Sequence, residues 1–496
     1  MNIAQVKKFF AEPALNMPCL PGLMSFVTVN PTMATLQFLG ATETVTGSKC
    51  VIDFHRSRAM IDCGLFQGLK ELRLRNWESL PVNPASITWV LLTHAHIDHT
   101  GYLPRFVRDG FIGRIYATTA TADLLKILLP DSGRLQEEDA EYANRKGFAK
   151  HHPALPLYTE QDATAALKLI QRVSYEENVR LNKFISARFI PAGHILGSSF
   201  IEVQLTEPDR APIKIVFSGD IGRYGEPILN DPASENEADY LLVESTYGNR
   251  LHDHSSPKDR LAEIINATAE RGGKIVIPAF AVGRTQLLVY YLRELEDEGR
   301  IPVLPVAVDS PMGVEATRLY SKHREEHDVD MQRVENLKRN PLATRNFSLV
   351  QGRSGSKMLN ERQGPGIIIS ASGMATGGRV LHHLAQWLPD PASTVIFAGY
   401  QGAGTRGRRL QDGETQVKIH GQMVQVRAHI ESITSLSAHA DAGEIMRWLG
   451  GFKRPPRKTF VVHGEVGSAT ALRDRIVKEL RWEVVIPTYK EIVELS

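Results

Sequence analysis

Four side chains that can bind a transition metal lie within six residues, directly after a short apolar run. The run at residues 87–92 reads as a buried strand, and Thr100-Gly101 opens a helical pattern. The residues between them are His94, His96, Asp98 and His99. Open α/β folds place ligand sites at such strand-to-helix turns. One metal would leave half of these groups unused, so the spacing predicts two metal ions close together; structural histidines without metal are the alternative.

Further acidic or histidine residues follow other apolar strands, each with a glycine close by. They are Asp62 in MIDCG, His194 in PAGHILGS, Asp220 in FSGDIG and His463 in VVHGE. Glycine permits the tight turn and close backbone approach that a ligand position needs. Each residue alone is weak evidence, because a strand-end His or Asp is often structural. Without Asp62, the whole set has five imidazoles and two carboxylates but no thiolate, which favours Zn²⁺, with Mn²⁺ or Fe²⁺ as alternatives.

The composition describes a globular chain whose positive charge is local. Of 496 residues, 42% are hydrophobic and 23% charged, and the net charge is only +2, so any nucleic-acid contact must come from a local patch. The three cysteines form no CxxC pair and no disulfide framework, so we expect a reducing, cytoplasmic compartment. No apolar run approaches the roughly 18 residues of a membrane helix, so no membrane partner is expected.

The chain divides into segments of different texture. Residues 1–33 are punctuated by prolines and predicted to be an N-terminal extension without a signal-peptide pattern. Residues 34–248 alternate short apolar runs with turns, which predicts strands with early hairpins. Residues 249–436 alternate strands with helices, as in a parallel βαβ sheet, and residues 437–496 resume with a helix, a strand and a helix. Residues 137–171, charged and helix-permissive, are either a flap over the site or a solvated insertion.

Basic and hydroxyl-bearing residues at turns in the βαβ segment predict contacts with phosphate. One run leaves a strand and enters a helix, where backbone N–H groups and a helix N-terminus favour anions. The predicted phosphate or RNA contacts are Arg250, Arg284, Ser372, Gly373, Arg379 and Arg406. Helix-capping or solvated charges are the alternative at each position. Few aromatic residues interleave with these spots, so base stacking is not evident and weak sequence preference is expected.

Together these motifs resemble those of the β-CASP nucleases, a branch of the metallo-β-lactamase fold hydrolases. The resemblance covers residues 33–496. The family's motifs 1 to 4 are matched by Asp62, by His94-x-His96-x-Asp98-His99, by His194 and by Asp220; motifs A to C are matched by Glu244 in VESTYG, His439 in SAHAD and His463. The resemblance implies an α/β fold, in which a metallo-β-lactamase αββα sandwich carries an inserted parallel-sheet β-CASP domain.

The resemblance also implies roles for these residues. His94, His96 and His194 would hold one zinc, Asp98, His99 and His463 the other, and Asp220 would bridge the two. Asp62 would orient ligands or water. Relatives acting on RNA are similar to this chain in having His at motif C, whereas DNA-processing relatives typically have Val. His463 therefore favours single-stranded RNA as the partner.

Our mechanistic hypothesis is two-metal hydrolysis of RNA phosphodiester bonds, in RNA processing or decay. In it His439, held by Glu244, protonates the leaving 3′-oxygen; with Asp62 and Asp98 these are the predicted catalytic residues. Endonuclease and 5′-exonuclease modes stay open, as does a homodimer. The alternatives are a hydrolase of the same fold acting on DNA or a small ester, thioester or lactam, and a non-catalytic RNA-binding scaffold. The complete ligand set argues against the scaffold.

Overall fold

The computed structural model describes residues 33–146, 152–252, 256–399, 401–402 and 404–496. The predicted N-terminal extension lies, apart from Met33, outside these residues. Secondary structure follows the predicted alternation of strands and turns closely in the first half of the chain and of strands and helices in the second.

The described residues form 22 strands. In chain order they are β1 Ala34–Phe38, β2 Cys50–Phe54, β3 Ser57–Ile61, β4 Trp89–Leu91, β5 Arg114–Thr118, β6 Ile170–Val173, β7 Val179–Arg180, β8 Ile185–Pro191, β9 Ser199–Leu205, β10 Ile213–Phe217, β11 Tyr240–Glu244, β12 Lys274–Pro278, β13 Val306–Val308, β14 Phe347–Leu349, β15 Gly366–Ser370, β16 Thr394–Ala398, β17 Gln416–Ile419, β18 Gln422–Gln425, β19 His429–Ile433, β20 Lys458–Val462, β21 Val484–Val485 and β22 Ile492–Leu495.

The same residues form 14 α-helices and three short 3-10 helices. The α-helices are α1 Lys70–Arg75, α2 Ile97–Thr100, α3 Leu103–Arg108, α4 Thr119–Lys146, α5 Glu160–Leu167, α6 Pro257–Glu270, α7 Arg284–Asp297, α8 Pro311–Lys322, α9 Val329–Asn336, α10 Arg353–Glu361, α11 Val380–Trp387, α12 Arg406–Gln411, α13 Ala442–Leu449 and α14 Val466–Leu480. The 3-10 helices are Pro84–Ser86, Arg324–Glu326 and Thr434–Leu436. No described helix is long and apolar enough to cross a membrane.

Two seven-stranded sheets pack face to face. Their strand orders are β22-β1-β2-β3-β4-β5-β6 and β21-β20-β11-β10-β9-β8-β7. Buried side chains from both sheets, such as Leu36, Leu91 and Ile201, form one cluster between them. Helices α3 to α5 pack on the outer face of the first sheet, and α13 and α14 on that of the second. The predicted αββα sandwich is confirmed.

A third sheet comes from the middle of the chain. Its order is β14-β13-β15-β12-β16-β19, and all its pairings are parallel. Every residue of β12 and β15 is buried, as expected for strands covered on both faces. Alternate β12 side chains pack toward α7 and toward α11. The inserted parallel sheet is therefore confirmed.

Two features of the fold were not predicted. Helix α4 begins at Thr119 and continues through Pro130 to Lys146, so the first part of the predicted flap or insertion is the end of a long helix that packs on α5 and α8. Residues 147–151 of that segment lie outside the described residues. The second feature is β22, which pairs antiparallel with β1 and so joins the end of the chain to its first described strand.

Glu326 links the inserted segment to the sandwich. Its carboxylate accepts hydrogen bonds from the Tyr175 hydroxyl (3.0 Å) and from the Gly197 N–H (3.3 Å), both in the sandwich. Burial raises the pKa of Glu326 to about 7 despite these donors. The linking side chain is therefore protonated in part at neutral pH, unlike an ordinary glutamate.

We expect Glu326→Gln to stabilise the protein at alkaline pH. The unfolded carboxyl has a pKa of 4.5 and the folded one about 7, so wild-type stability falls as pH rises through that window and is fully reduced above it. The variant should gain about 1–3 kcal/mol at pH 8 and little below pH 4.5. Denaturant unfolding at both pH values measures this. Glu361→Gln, at an exposed position at the end of α10, is the control and should show no gain.

Candidate metal centre

The metal-binding motif follows the end of β4, in a loop that runs into the four-residue helix α2. His94 lies in the loop, His96 is the residue before α2, and Asp98 and His99 lie within the helix. Because β4 ends at Leu91, His94 and His96 lie beyond the strand and strand alternation does not set their directions. The loop instead brings His94 Nε2 to 3.1 Å from His96 Nδ1.

Two groups of donor atoms meet at Asp220. His94, His96, His194 and Asp220 form the first group, and Asp98, His99 and His463 the second; within each, the donor atoms lie within 4.8 Å of one another. In the first, His194 Nε2 is 3.2 Å from His96 Nδ1. In the second, His99 Nε2 is 3.1 Å from His463 Nε2. Asp220 reaches both groups, with Oδ2 3.3 Å from His94 Nε2 and Oδ1 3.3 Å from His99 Nε2.

These donors fit metal ions. Bonds of 2.0–2.1 Å in a tetrahedral zinc site place neighbouring ligand atoms roughly 3.3 Å apart, close to the spacings here. Asp220 Oδ1 is buried and makes no hydrogen bond with any described residue. Burial lowers the pKa of His94 and of His194, which favours neutral rings with a free lone pair. A cation would satisfy the carboxylate and the lone pairs together.

Asp62 and Thr93 orient His99, a member of the second donor group. Asp62 Oδ2 lies 2.7 Å from His99 Nδ1, so His99 can donate there and present Nε2 toward Asp220 and His463. The Thr93 N–H and hydroxyl donate to Asp62 at 2.8 and 2.9 Å. Sequence reasoning missed Thr93, although its polar side chain between strand and motif was a usable signal. Gly64 allows this packing, because a Cβ there would lie 1.6 Å from the Asp98 carbonyl oxygen.

His439 and Glu244 lie beside the first donor group. His439 Nδ1 is 3.2 Å from Glu244 Oε2, and its ring centroid is 4.4 Å from that of His194. The Ile221 N–H donates to Glu244 Oε1 at 2.5 Å, which fixes the carboxylate. Burial opposes charge on His439, but Glu244 and then Asp220 outweigh it and raise the pKa of His439 to about 9. The two carboxylates therefore favour the protonated ring.

The predicted phosphate contacts differ in whether their side-chain donors already have partners within the protein. Arg284 is buried at the start of α7, and its Nε and Nη1 have no hydrogen-bond partner among the described residues. Burial lowers its pKa to about 10, with partial relief from Glu226. Arg250 is exposed and lies over the Tyr247 ring at 5.5 Å. Arg284 thus has unused donors, and Arg250 is open to solvent.

The other predicted contacts already bond within the protein. Arg379 Nη1 donates to Asp309 at 2.6 Å and to the Val350 carbonyl at 3.1 Å. Arg406 donates to the carbonyls of Ala375 and Lys418. The Ser372 hydroxyl accepts from the N–H groups of Thr376 and Gly377, two of the amides expected to face an anion. Gly373 is buried, and a Cβ there would lie 2.9 Å from Phe280. This loop is held mainly by its own contacts.

Family models match three parts of this chain. The metallo-beta-lactamase superfamily matches residues 51–278, the Beta-Casp domain residues 285–410, and the Zn-dependent metallo-hydrolase RNA specificity domain residues 423–487. The motif residues of both donor groups lie within the first and third matches.

Known proteins match nearly the whole chain. Ribonuclease TTHA0252 of Thermus thermophilus is 34% identical over 455 residues, 90% of this chain and 98% of that protein. Transcription termination factor FttA of Methanosarcina mazei is 31% identical over 92% of this chain and 71% of its own length. An RNase J-like protein of Methanocaldococcus jannaschii is 28% identical, covering 93% and 100%. The crystal structure of a protein of unknown function from Enterococcus faecalis V583 shares the fold, with a TM-score of 0.53 at 13% identity, covering 94% and 100%.

We expect Asp62→Ala to weaken metal binding without unfolding the protein. Removing the acceptor for His99 Nδ1 frees the ring to rotate, and loss of such outer partners costs about 10–100-fold in metal affinity. Competition with a chelator, read as metal content per chain, measures the change. Asp53→Ala removes a carboxylate on β2 that pairs with Arg58 on β3, and this variant serves as the control. Equal affinity in Asp62→Ala and wild type would remove Asp62 from the site.

Proposed function

Because this chain belongs to the β-CASP metallo-hydrolases of the metallo-β-lactamase superfamily, we propose that it is a zinc-dependent ribonuclease with two metal ions. The observation that carries the proposal is the pair of donor groups sharing Asp220, with the His439–Glu244 pair beside them. His94, His96 and His194 would hold one ion, Asp98, His99 and His463 the other, and Asp220 both. When bound, the ions would supply Lewis-acid chemistry, activate water and neutralise phosphate charge.

His439 is the proposed proton donor to the leaving 3′-oxygen. Its Nδ1 faces Glu244, so Nε2 is the nitrogen left to face a substrate. A carboxylate behind the ring favours the imidazolium, which must exist before the leaving group can be protonated. Donation gives a 3′-hydroxyl, and the neutral ring then regains a proton from solvent. Its side chain is 21% exposed, which allows that exchange.

Arg284 is the proposed anchor for a substrate phosphate. A buried guanidinium with unpaired donors is costly unless an anion arrives. Glu226 and Tyr247 are among the groups that raise the pKa of Arg284. The Tyr247 ring centroid lies 6.1 Å from that of His439. A phosphate at Arg284 would therefore lie near the proton donor. Arg250 is the proposed outer contact; Ser372, Gly373, Arg379 and Arg406 would shape the loop, with direct contact limited to atoms not used within the protein.

RNA is the proposed substrate class. By the family resemblance, His463 at motif C favours RNA. The RNA specificity domain matches residues 423–487, and one relative is named a ribonuclease. We further propose the segment boundaries predicted from sequence, at residues 34, 249 and 437, with the RNA cleft between sandwich and insert. The free, buried thiols of Cys50 and Cys63 support a cytoplasmic location.

We expect wild-type protein with zinc to cut single-stranded RNA and to spare DNA of the same sequence. Asp98→Ala removes a donor of the second group and should abolish cutting. Gel analysis of both 5′-labelled strands, with metal content for each protein, measures this, and the ladder separates internal from end-wise cuts. Asp109→Ala, which removes an exposed carboxylate that pairs with Arg105 just after the end of α3, is the control. DNA cut as fast as RNA would contradict the proposed substrate.

We expect His439→Ala to retain two metal ions and to cut RNA about 10²–10⁴-fold more slowly, the usual share of general acid catalysis. His439 lies beside the donors but is assigned to neither ion. Single-turnover rates and metal content test this together. Loss of metal in the variant would make His439 a ligand, and unchanged turnover would remove it from the chemistry.

A further inference from the structure

We propose that His252 is a positioning residue that holds the backbone of His439 in place for proton transfer. The inference rests on the proposed role of His439 as proton donor. His252 follows the motif that contains Glu244, and His439 lies 187 residues further along the chain. The two segments meet beside the metal centre.

Two hydrogen bonds from His252 bracket His439. The His252 Nε2 lies 2.9 Å from the His439 carbonyl oxygen, and its backbone N–H donates to Asp441 Oδ2 at 2.8 Å. A carbonyl oxygen can only accept, so Nε2 must carry the hydrogen and the tautomer of His252 is fixed. The Ala442 N–H donates to the Arg250 carbonyl at 3.2 Å and adds a third link between the segments.

His439 is consequently held at two points. Glu244 contacts its ring, and His252 contacts its backbone. His252 is only 5% exposed, and its ring centroid lies 5.0 Å from that of Tyr247, so it has little room to move. On the other side, the Ala440 N–H donates to the Ile221 carbonyl at 2.8 Å. Ile221 also donates to Glu244, so one small unit fixes both ring and backbone.

A metal site at His252, Asp441 and Glu444 fits less well. Their donor atoms are close together, but they already have partners. Asp441 Oδ1 accepts from the N–H groups of Gly443 and Glu444, and Glu444 Oε2 accepts from the Asp441 N–H, which is the capping box of α13. His252 Nε2 faces a carbonyl oxygen. The cluster therefore fixes the start of α13 and the segment before it.

Activity on two substrates distinguishes misplacement of the proton donor His439 from general damage to the protein. RNA has a poor alkoxide leaving group that needs a proton, whereas bis(p-nitrophenyl) phosphate releases a stable phenolate that does not. A misplacement of about 1 Å can cost about 10²-fold. We expect His252→Ala to lower kcat on RNA by about 10–100-fold, with KM and metal content unchanged, but to stay within about threefold of wild type on the nitrophenyl ester.

Conservative replacement and matched controls complete the design. His252→Gln keeps an N–H donor and should restore most of the RNA activity. His55 is a partly buried histidine in the β2–β3 turn that pairs with Glu207 and stacks on Phe184. His55→Ala should match wild type on both substrates. Asp98→Ala should lose activity on both. Equal loss on the two substrates in His252→Ala, or no rescue by Gln, would overturn the proposal.

A readout without substrate keeps the two proposals distinguishable. Amide hydrogen exchange over residues 435–442 should be faster in His252→Ala than in wild type, and normal in His252→Gln and His55→Ala. If wild-type protein cuts neither substrate, the proposed function fails, and the exchange rates still decide whether His252 holds this segment. Unchanged exchange in His252→Ala would overturn the positioning role whatever the activity.

Discussion

The buried carboxylate of Asp220 is the constraint on which the rest of this site depends. It is 1% exposed and is surrounded by the imidazoles of both donor groups. Burying a charge without compensation is among the costliest arrangements in a protein. Burial favours neutral forms of His94 and His194, and each neutral ring keeps one lone pair that a metal ion can accept. Cations at this point would compensate the carboxylate and accept those lone pairs together.

The same constraint ties the site to the whole fold. The donors follow strands in both sheets: β4 in the first, and β8, β10 and β20 in the second. His99 and His463, whose Nε2 atoms are 3.1 Å apart, are separated by 364 residues. The chain must therefore complete the inserted sheet and return before the second group exists. A metal ion at the second group would therefore stabilise only the completed fold.

Sequence reasoning succeeded where the signal was local. A contiguous motif after an apolar strand supplied four of the seven side chains that cluster in the structure, and glycine-flanked residues after other strands supplied the other three. The alternation of strands and helices over residues 249–436 indicated the parallel sheet. Helix α4 was missed because Pro130 signals a break, yet the helix continues through it, with Leu124, Leu125 and Leu129 packed into the core. Strand β22 was missed because its pairing partner is at the other end of the chain.

The predicted phosphate contacts show why an arginine at a strand-to-helix turn is, by itself, weak evidence of phosphate binding. Arg379 meets Asp309, which lies 70 residues away and also faces His383 Nε2 at 2.7 Å. The other ring nitrogen of His383 faces Asn360 Oδ1, which also accepts the Trp387 N–H. Asp309, His383 and Asn360 therefore all have partners within this network. Arg379 therefore shapes its loop, whereas Arg284, buried with unused donors, is the arginine of the pair that an anion would satisfy.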